Sequence, residues 1–270
     1  MPYSVDFILE LLILILLSII SIKYHFLDWS GVLSAFIIGL MVLVFGGWQW
    51  FLLLLSFYVI SSIFTKYKYS YKRALGFAES KSGARSWRNV IGNGGAAAIF
   101  AIGEGILGGG IFFAAFLGAT STAISDTLAT EIGLLYPGKP RLITNFKKVE
   151  PGVSGAISPY GELTIIFSSL LMGFIASILN VAPEFSFLEV IFIAVISGFI
   201  GSTVDSFFGA IFQAGYWCDK CNSFCEDPVH FCGCKTRLIK GFKIINNHIV
   251  NFASTLFGGI IGLFLSLIIY

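Results

Sequence analysis

Apolar runs long enough to cross a lipid bilayer recur from one end of this 270-residue chain to the other, and that recurrence leaves few folds open. A helix needs roughly 20 residues to span the hydrocarbon. With no water in that layer, every backbone N–H and C=O must find a partner inside the protein. Windows of spanning length fall at roughly 4–22, 31–46, 48–64, 90–106, 108–133, 160–181, 186–214 and 249–269. Gly103, Gly105 and the glycines at 108–110 leave the fourth and fifth spans open to a tight turn or a break. Only 12% of residues are charged, against about 25% in soluble domains. The expected fold is therefore all-α: a polytopic transmembrane helix bundle, one domain over 1–270 with about eight helices. A small polar Cys-rich loop interrupts it at 216–248. The first run carries Asp6 and Glu10 and has no Lys or Arg before Lys23, unlike a secretory signal, so it reads as a retained helix.

The basic residues set an orientation. All 17 Lys and Arg fall in four segments: Lys23; Lys66, Lys68, Lys72, Arg73, Lys81, Arg85 and Arg88 in 65–89; Lys139, Arg141, Lys147 and Lys148 in 134–159; and Lys220, Lys235, Arg237, Lys240 and Lys243 in 215–248. Eight spans put these four segments on one face, whereas seven would divide them. The positive-inside rule makes that face cytoplasmic, with both termini outside. A net charge of +2 spread over short loops implies no nucleic-acid partner; the bilayer is the expected one.

Ionisable residues at membrane depth are costly, so each needs a partner or a use. Two segments run through small residues into Asp-(Thr/Ser): Gly118-Ala-Thr-Ser-Thr-Ala-Ile-Ser-Asp126-Thr-Leu-Ala-Thr-Glu131-Ile-Gly133 and Gly198-Phe-Ile-Gly-Ser-Thr-Val-Asp205-Ser-Phe-Phe-Gly. They resemble a short internal repeat. The serines and threonines suit interhelical hydrogen bonding, but three carboxylates ask for more. Oxygen ligands near a phosphate-binding surface suit Mg²⁺, and a proton or cation path uses the same residue types. Asp126 and Glu131 are five apart, so aiming both inward requires a local turn or break.

The basic loops hold what a phosphate site needs. In Glu150-Pro-Gly-Val-Ser-Gly-Ala-Ile-Ser158, Gly152 and Gly155 allow successive N–H groups to turn toward an anion ahead of a helix start, although an ordinary glycine turn has the same sequence. Lys147 and Lys148 stand just before it. Arg85, Arg88, Asn89 and Asn93 enter the fourth span, where interface anchoring is the competing role. Asn246, Asn247 and Asn251 lead into the last span.

All five cysteines lie in one stretch. Cys218-Asp-Lys-Cys221 is half of a zinc site, which Cys232 with His230 or Cys234 would close. Disulfides and free thiols are the alternatives, and a cytoplasmic loop favours zinc over disulfides. Four soft ligands leave no open position, so the role expected is structural.

These residues carry a family likeness. The chain resembles the phytyl-phosphate kinase family of multi-pass membrane proteins, formerly a transmembrane domain of unknown function. The likeness rests on Asn89-Val-Ile-Gly-Asn93-Gly, Ser125-Asp126-Thr-Leu-Ala-Thr-Glu131, Gly152-Val-Ser-Gly-Ala-Ile-Ser158, Gly201-Ser-Thr-Val-Asp205-Ser-Phe-Phe-Gly-Ala and Asn246-Asn247 with Val250-Asn251 and Ser254. His248 stands where the family pattern leads one to expect Asp. The resemblance implies a kinase that converts an isoprenyl or phytyl monophosphate to the diphosphate, with CTP or another nucleoside triphosphate as donor. It implies Mg²⁺ on Asp126, Glu131 and Asp205, with Lys147 beside them in the catalytic group. Arg85, Arg88, Lys148, the 152–155 turn with Ser154, Ser202 and the five asparagines would contact phosphates or nucleotide. Two other readings share these residues: an ion-coupled transporter and a CTP-using lipid cytidylyltransferase.

Overall fold

The computed structural model describes residues 5–74, 84–182, 184–230 and 232–269. Lys81 and the side chain of Arg73, both assigned to a basic loop above, lie outside what is described.

Helices form where the apolar runs lie, because a helix satisfies its own backbone in lipid. In chain order they are α1 (Val5–Lys23), α2 (Trp29–Gly46), α3 (Trp48–Lys66), the short α4 (Tyr69–Ala74), α5 (Trp87–Leu107), α6 (Ile111–Gly133), α7 (Pro159–Ile178), α8 (Phe187–Ile211) and α9 (Asn247–Ile269). Among the described residues α2, α3 and α5 to α9 are each long and apolar enough to cross a membrane. α1, with 19 residues, stands at the place expected for the first span. Side-chain caps mark several starts: Asp28 accepts from the Gly31 N–H, Ser158 from Gly161, and Ser186 with Glu189 forms a capping box.

The doubtful region between 90 and 133 resolves into two helices. Gly103 and Gly105 sit inside α5, and the break comes at 108–110, where all three glycines have positive φ. A Cβ is disfavoured there, so three glycines turn the chain between antiparallel spans. The Gly110 N–H is capped by Glu104 Oε1 at 3.0 Å.

α6 is the axis of the bundle. It packs on α3, α5, α7, α8 and α9, and every residue from 113 to 125 is buried. α2 packs on α5, and α1 lies on α2. Small residues bring the central backbones together. Thr122 donates from Oγ1 to Gly118 O (2.9 Å) and Ser197 O (3.1 Å), and Gly201 and Gly258 close on the same oxygen from α8 and α9. A Cβ at Gly258 would lie 2.0 Å from Thr122 Oγ1. Gly258→Ala is therefore expected to destabilise the protein by about 1–3 kcal/mol through overpacking. Thermal unfolding in detergent measures it, and adding Thr122→Ala should restore part of the loss.

Two small sheets lie at one end. β1 (Arg141–Leu142) pairs antiparallel with β2 (Ala156–Ile157) in the α6–α7 connection. β3 (Gly215–Cys218), β4 (Ser223–Cys225) and β5 (Arg237–Lys240) form an antiparallel sheet in the order β4-β3-β5 between α8 and α9. The basic segments touch one another at this end. Lys66 Nζ donates to Tyr24 O, Asp28 N–H to Arg85 O, and Lys240 Nζ to Ser154 O. The fold thus gathers the basic loops where the charge pattern predicts.

Candidate functional site

The two Asp-centred segments are the second halves of α6 and α8, which pack together. This brings Asp126 and Asp205 side chain to side chain. Asp205 is buried, and its Oδ2 accepts from Ser254 Oγ of α9 at 2.8 Å. No ion pair reaches either carboxylate among the described residues. Two facing carboxylates repel unless a proton or a cation lies between them, and low dielectric magnifies that repulsion. One turn before Ser254, the buried Asn251 has an Oδ1 with no hydrogen-bond partner. The paired carboxylates offer oxygen donors of the kind a hard divalent cation such as Mg²⁺ takes, and the Asn251 amide oxygen lies one turn away on α9.

Glu131 is not part of this set. α6 runs unbroken to Gly133, so five residues turn the side chain by about 140° from Asp126. No local break aims both inward. Glu131 instead pairs with Lys72 of α4, whose Nζ is buried and also donates to Phe64 O (2.9 Å) and Thr65 O (3.1 Å). Nothing in the sequence singles out Lys72. It is one basic residue among seven in its segment, and only the chain's return through α4 selects it.

A line of amides connects the acidic pair to α5. Asn251 Nδ2 donates to Asn93 Oδ1 at 3.4 Å, and Asn93 Nδ2 to Asn89 O at 3.0 Å. Beyond them Arg85 is buried and donates to Thr65 Oγ1 at 2.6 Å. Arg85, Asn89 and Asn93 also line one part of an apolar cavity between α1, α2, α3 and α5, about 770 Å³ counting its open mouth. Its remaining walls are largely hydrocarbon, among them Leu14, Ala35, Phe51 and Leu55. Ligand pockets are typically apolar and lined by a few convergent polar groups.

The other expected contacts scatter. Arg88 is exposed over the Trp87 ring, and Asn246 caps α9 by accepting from the Ile249 N–H. Asn247 opens that helix. Ser202 is buried one turn before Asp205. Lys147 and Lys148 are exposed on the α6–α7 connection. Gly152 and Gly155 both take positive φ. At Gly155 packing also decides: a Cβ would lie 2.5 Å from Ala210 N at the end of α8. The turn is pressed onto α8, and two of its N–H groups, from Val153 and Ala156, bond within the loop. Ser154 Oγ donates to Glu226 Oε1 at 2.9 Å, a partner with no signature in the sequence. Glu226 lies within electrostatic range of Asp126.

In the Cys-rich loop Cys218, Cys221, His230 and Cys232 converge, with their ligand atoms all within 4.8 Å of one another. Cys218 and Cys232 sulfurs are 3.8 Å apart, and His230 Nδ1 is 3.1 Å from Cys232 Sγ. Tetrahedral bonds of about 2.3 Å to zinc separate two sulfurs by about 3.8 Å, so the spacing fits. Ser223 Oγ lies 3.3 Å from His230 Nε2, the outer hydrogen bond that aims a ligating imidazole. His230, not Cys234, is the fourth member, and all five cysteines are free thiols. The His230 contact holds the Cys232 thiol down at about 6. Hydrogen bonding to Cys232 first, then burial and Cys218, pushes Cys221 up to about 11. By ligand type and spacing these four residues could hold a divalent metal.

A family model described as integral membrane protein DUF92 matches residues 12–259. An uncharacterized membrane protein of Methanocaldococcus jannaschii is 31% identical over 253 residues, covering 94% of this chain and 91% of that one. The chloroplastic protein VTE6 of Arabidopsis thaliana is 30% identical over 244 residues, covering 88% of this chain and 64% of its own length. Protein PGR of the same plant is 28% identical over 263 residues, with 89% of each covered. No solved structure matches the chain.

Proposed function

Because the chain belongs to the integral membrane protein DUF92 family, the phytyl-phosphate kinase family to which its motifs point, we propose that it phosphorylates an isoprenyl-type lipid monophosphate at the membrane surface. The donor is a nucleoside triphosphate, CTP foremost. An oxygen of the lipid phosphate bonds to the terminal phosphorus of the donor as the bridging P–O bond breaks, leaving lipid diphosphate and nucleoside diphosphate. The active face is cytoplasmic.

One observation carries this reading. The apolar cavity between α1, α2, α3 and α5 includes Arg85, Asn89 and Asn93 in its lining, and the amide line runs from there to the acidic pair. A hydrocarbon tail in the cavity would put its phosphate beside a buried guanidinium, with the acidic pair beyond. Phosphoryl transfer asks mainly for positioning and charge stabilisation. A phosphate acceptor is largely ionised near pH 7, so no strong general base is required. Asp126, Asp205 and the Asn251 amide oxygen would hold Mg²⁺, which when bound neutralises the donor phosphates. Lys147 and Lys148, exposed on the loop, would meet the nucleotide. Zinc on Cys218, Cys221, His230 and Cys232 would be structural. A transporter places its ions at broken helices near the midplane, whereas α6 and α8 are continuous through the acidic pair.

The direct test is purified protein with Mg²⁺, terminally labelled CTP and geranylgeranyl or phytyl monophosphate. Labelled lipid diphosphate is expected; no product from folded protein with any nucleotide or chain length overturns the reading. Release of pyrophosphate would indicate the cytidylyltransferase instead. The cavity is tested by Ala35→Trp. Displacing even two buried methylenes costs about 1.6 kcal/mol, so KM for the long-chain substrate should rise more than about tenfold. A ten-carbon substrate should be affected less, and equal KM changes for both would detach the cavity from the tail.

A further inference from the structure

The Cys-rich sheet reaches the 152–155 turn at Ser154. Glu226 follows β4 directly, and its Oε1 accepts from Ser154 Oγ and Gln213 Nε2, each at 2.9 Å. From the opposite edge strand, Lys240 Nζ donates to Ser154 O and Gly209 O, each at 2.9 Å. The two outer strands thus hold Ser154 by its hydroxyl and its carbonyl, while Gly155 next to it is pressed onto Ala210. Strands of three or four residues bury too little to keep such a grip by themselves. The Cys218, Cys221, His230 and Cys232 cluster brings the end of β3 and the β3–β4 turn together with the segment before β5, on both sides of Glu226 in the chain.

We propose that the metal-clipped sheet is a positioning device for the turn at 152–155, with Glu226 and Lys240 as its two contacts. The metal acts at a distance: it fixes the sheet, the sheet fixes Ser154, and Ser154 fixes the turn that opens α7. That the turn serves phosphate binding rests on the kinase reading; the grip itself does not. Outer groups that orient a ligating residue change affinity or activity by about 10- to 100-fold, and an effect of the same order is expected for the contacts that orient this turn.

The experiment reads three quantities on the full-length protein in detergent. Metal content and the visible spectrum of the Co²⁺-loaded form report the clip. Deuterium exchange at 152–157 reports the turn, and steady-state kinetics report its consequence. Cys218→Ser should lose the metal, speed exchange at 152–157 and raise a substrate KM about 10- to 100-fold, with a smaller change in kcat. Glu226→Ala should keep the metal and the Co²⁺ spectrum yet show the same faster exchange and higher KM. Glu226→Gln, which retains an acceptor oxygen, should recover most of both. Should Cys218→Ser not fold, chelator-stripped wild-type protein replaces it. Wild-type exchange in Glu226→Ala, or in metal-free protein, overturns the proposal. If no variant nor the wild type transfers phosphate, the kinase reading fails while the metal and exchange results still decide the grip.

Discussion

Replacing Asp126 or Asp205 by Asn should lower phosphoryl transfer by about a thousandfold, the equivalent of about 4 kcal/mol at 25 °C. The size follows from the arrangement. Both carboxylates meet in the bundle interior with Ser254 as a neutral donor and no ion pair among the described residues. A metal-binding role separates from a structural one by a second measurement. Added Mg²⁺ should raise the thermal midpoint of the wild type by mass action and leave Asp126→Asn and Asp205→Asn unmoved. In chelator the two variants should be no less stable than the wild type, since an Asn amide can donate across the pair where two carboxylates need a shared proton. Variants with full activity and a normal Mg²⁺ shift would take the pair out of the mechanism.

Glu131 and Lys72 should behave in the opposite way. Removing one partner of a buried ion pair strands the other, at a cost of 3–5 kcal/mol where burial is complete. The Glu131 side chain is 16% exposed and Lys72 only 3%. Lys72→Met or Glu131→Gln should therefore destabilise the fold by about 3 kcal/mol, near the lower end, read as a lower thermal midpoint. The Mg²⁺-dependent shift should persist in Glu131→Gln. If that shift vanishes instead, Glu131 belongs among the metal ligands after all.

The membrane architecture was legible in the residues for a simple reason. A bilayer asks each span to be long, apolar and helical, and these demands are local. The expected spans coincide with α1 to α3 and α5 to α9 to within a few residues, and the basic segments meet at one end. The repeat-like pattern around Asp126 and Asp205 also pointed to the residues that meet. The cysteine spacing pointed to the metal-type cluster, with its fourth member and the disulfide and free-thiol alternatives still open.

What the residues could not specify was which polar groups share a space. Asp126 and Glu131 look alike in sequence, but an unbroken helix turns them about 140° apart, toward Asp205 and Lys72 respectively. Glu226 carries no periodic or motif signal, and only the docking of a short sheet brings it to Ser154. The cavity beside Arg85, Asn89 and Asn93 exists only where four helices diverge. The clustering of basic loops, apolar spans of bilayer length and a cysteine cluster were determined by sequence alone, because solvent and lipid act on each segment separately. The partners of each carboxylate were decided by tertiary structure, because they depend on helix rotation and on contacts between residues far apart in the chain.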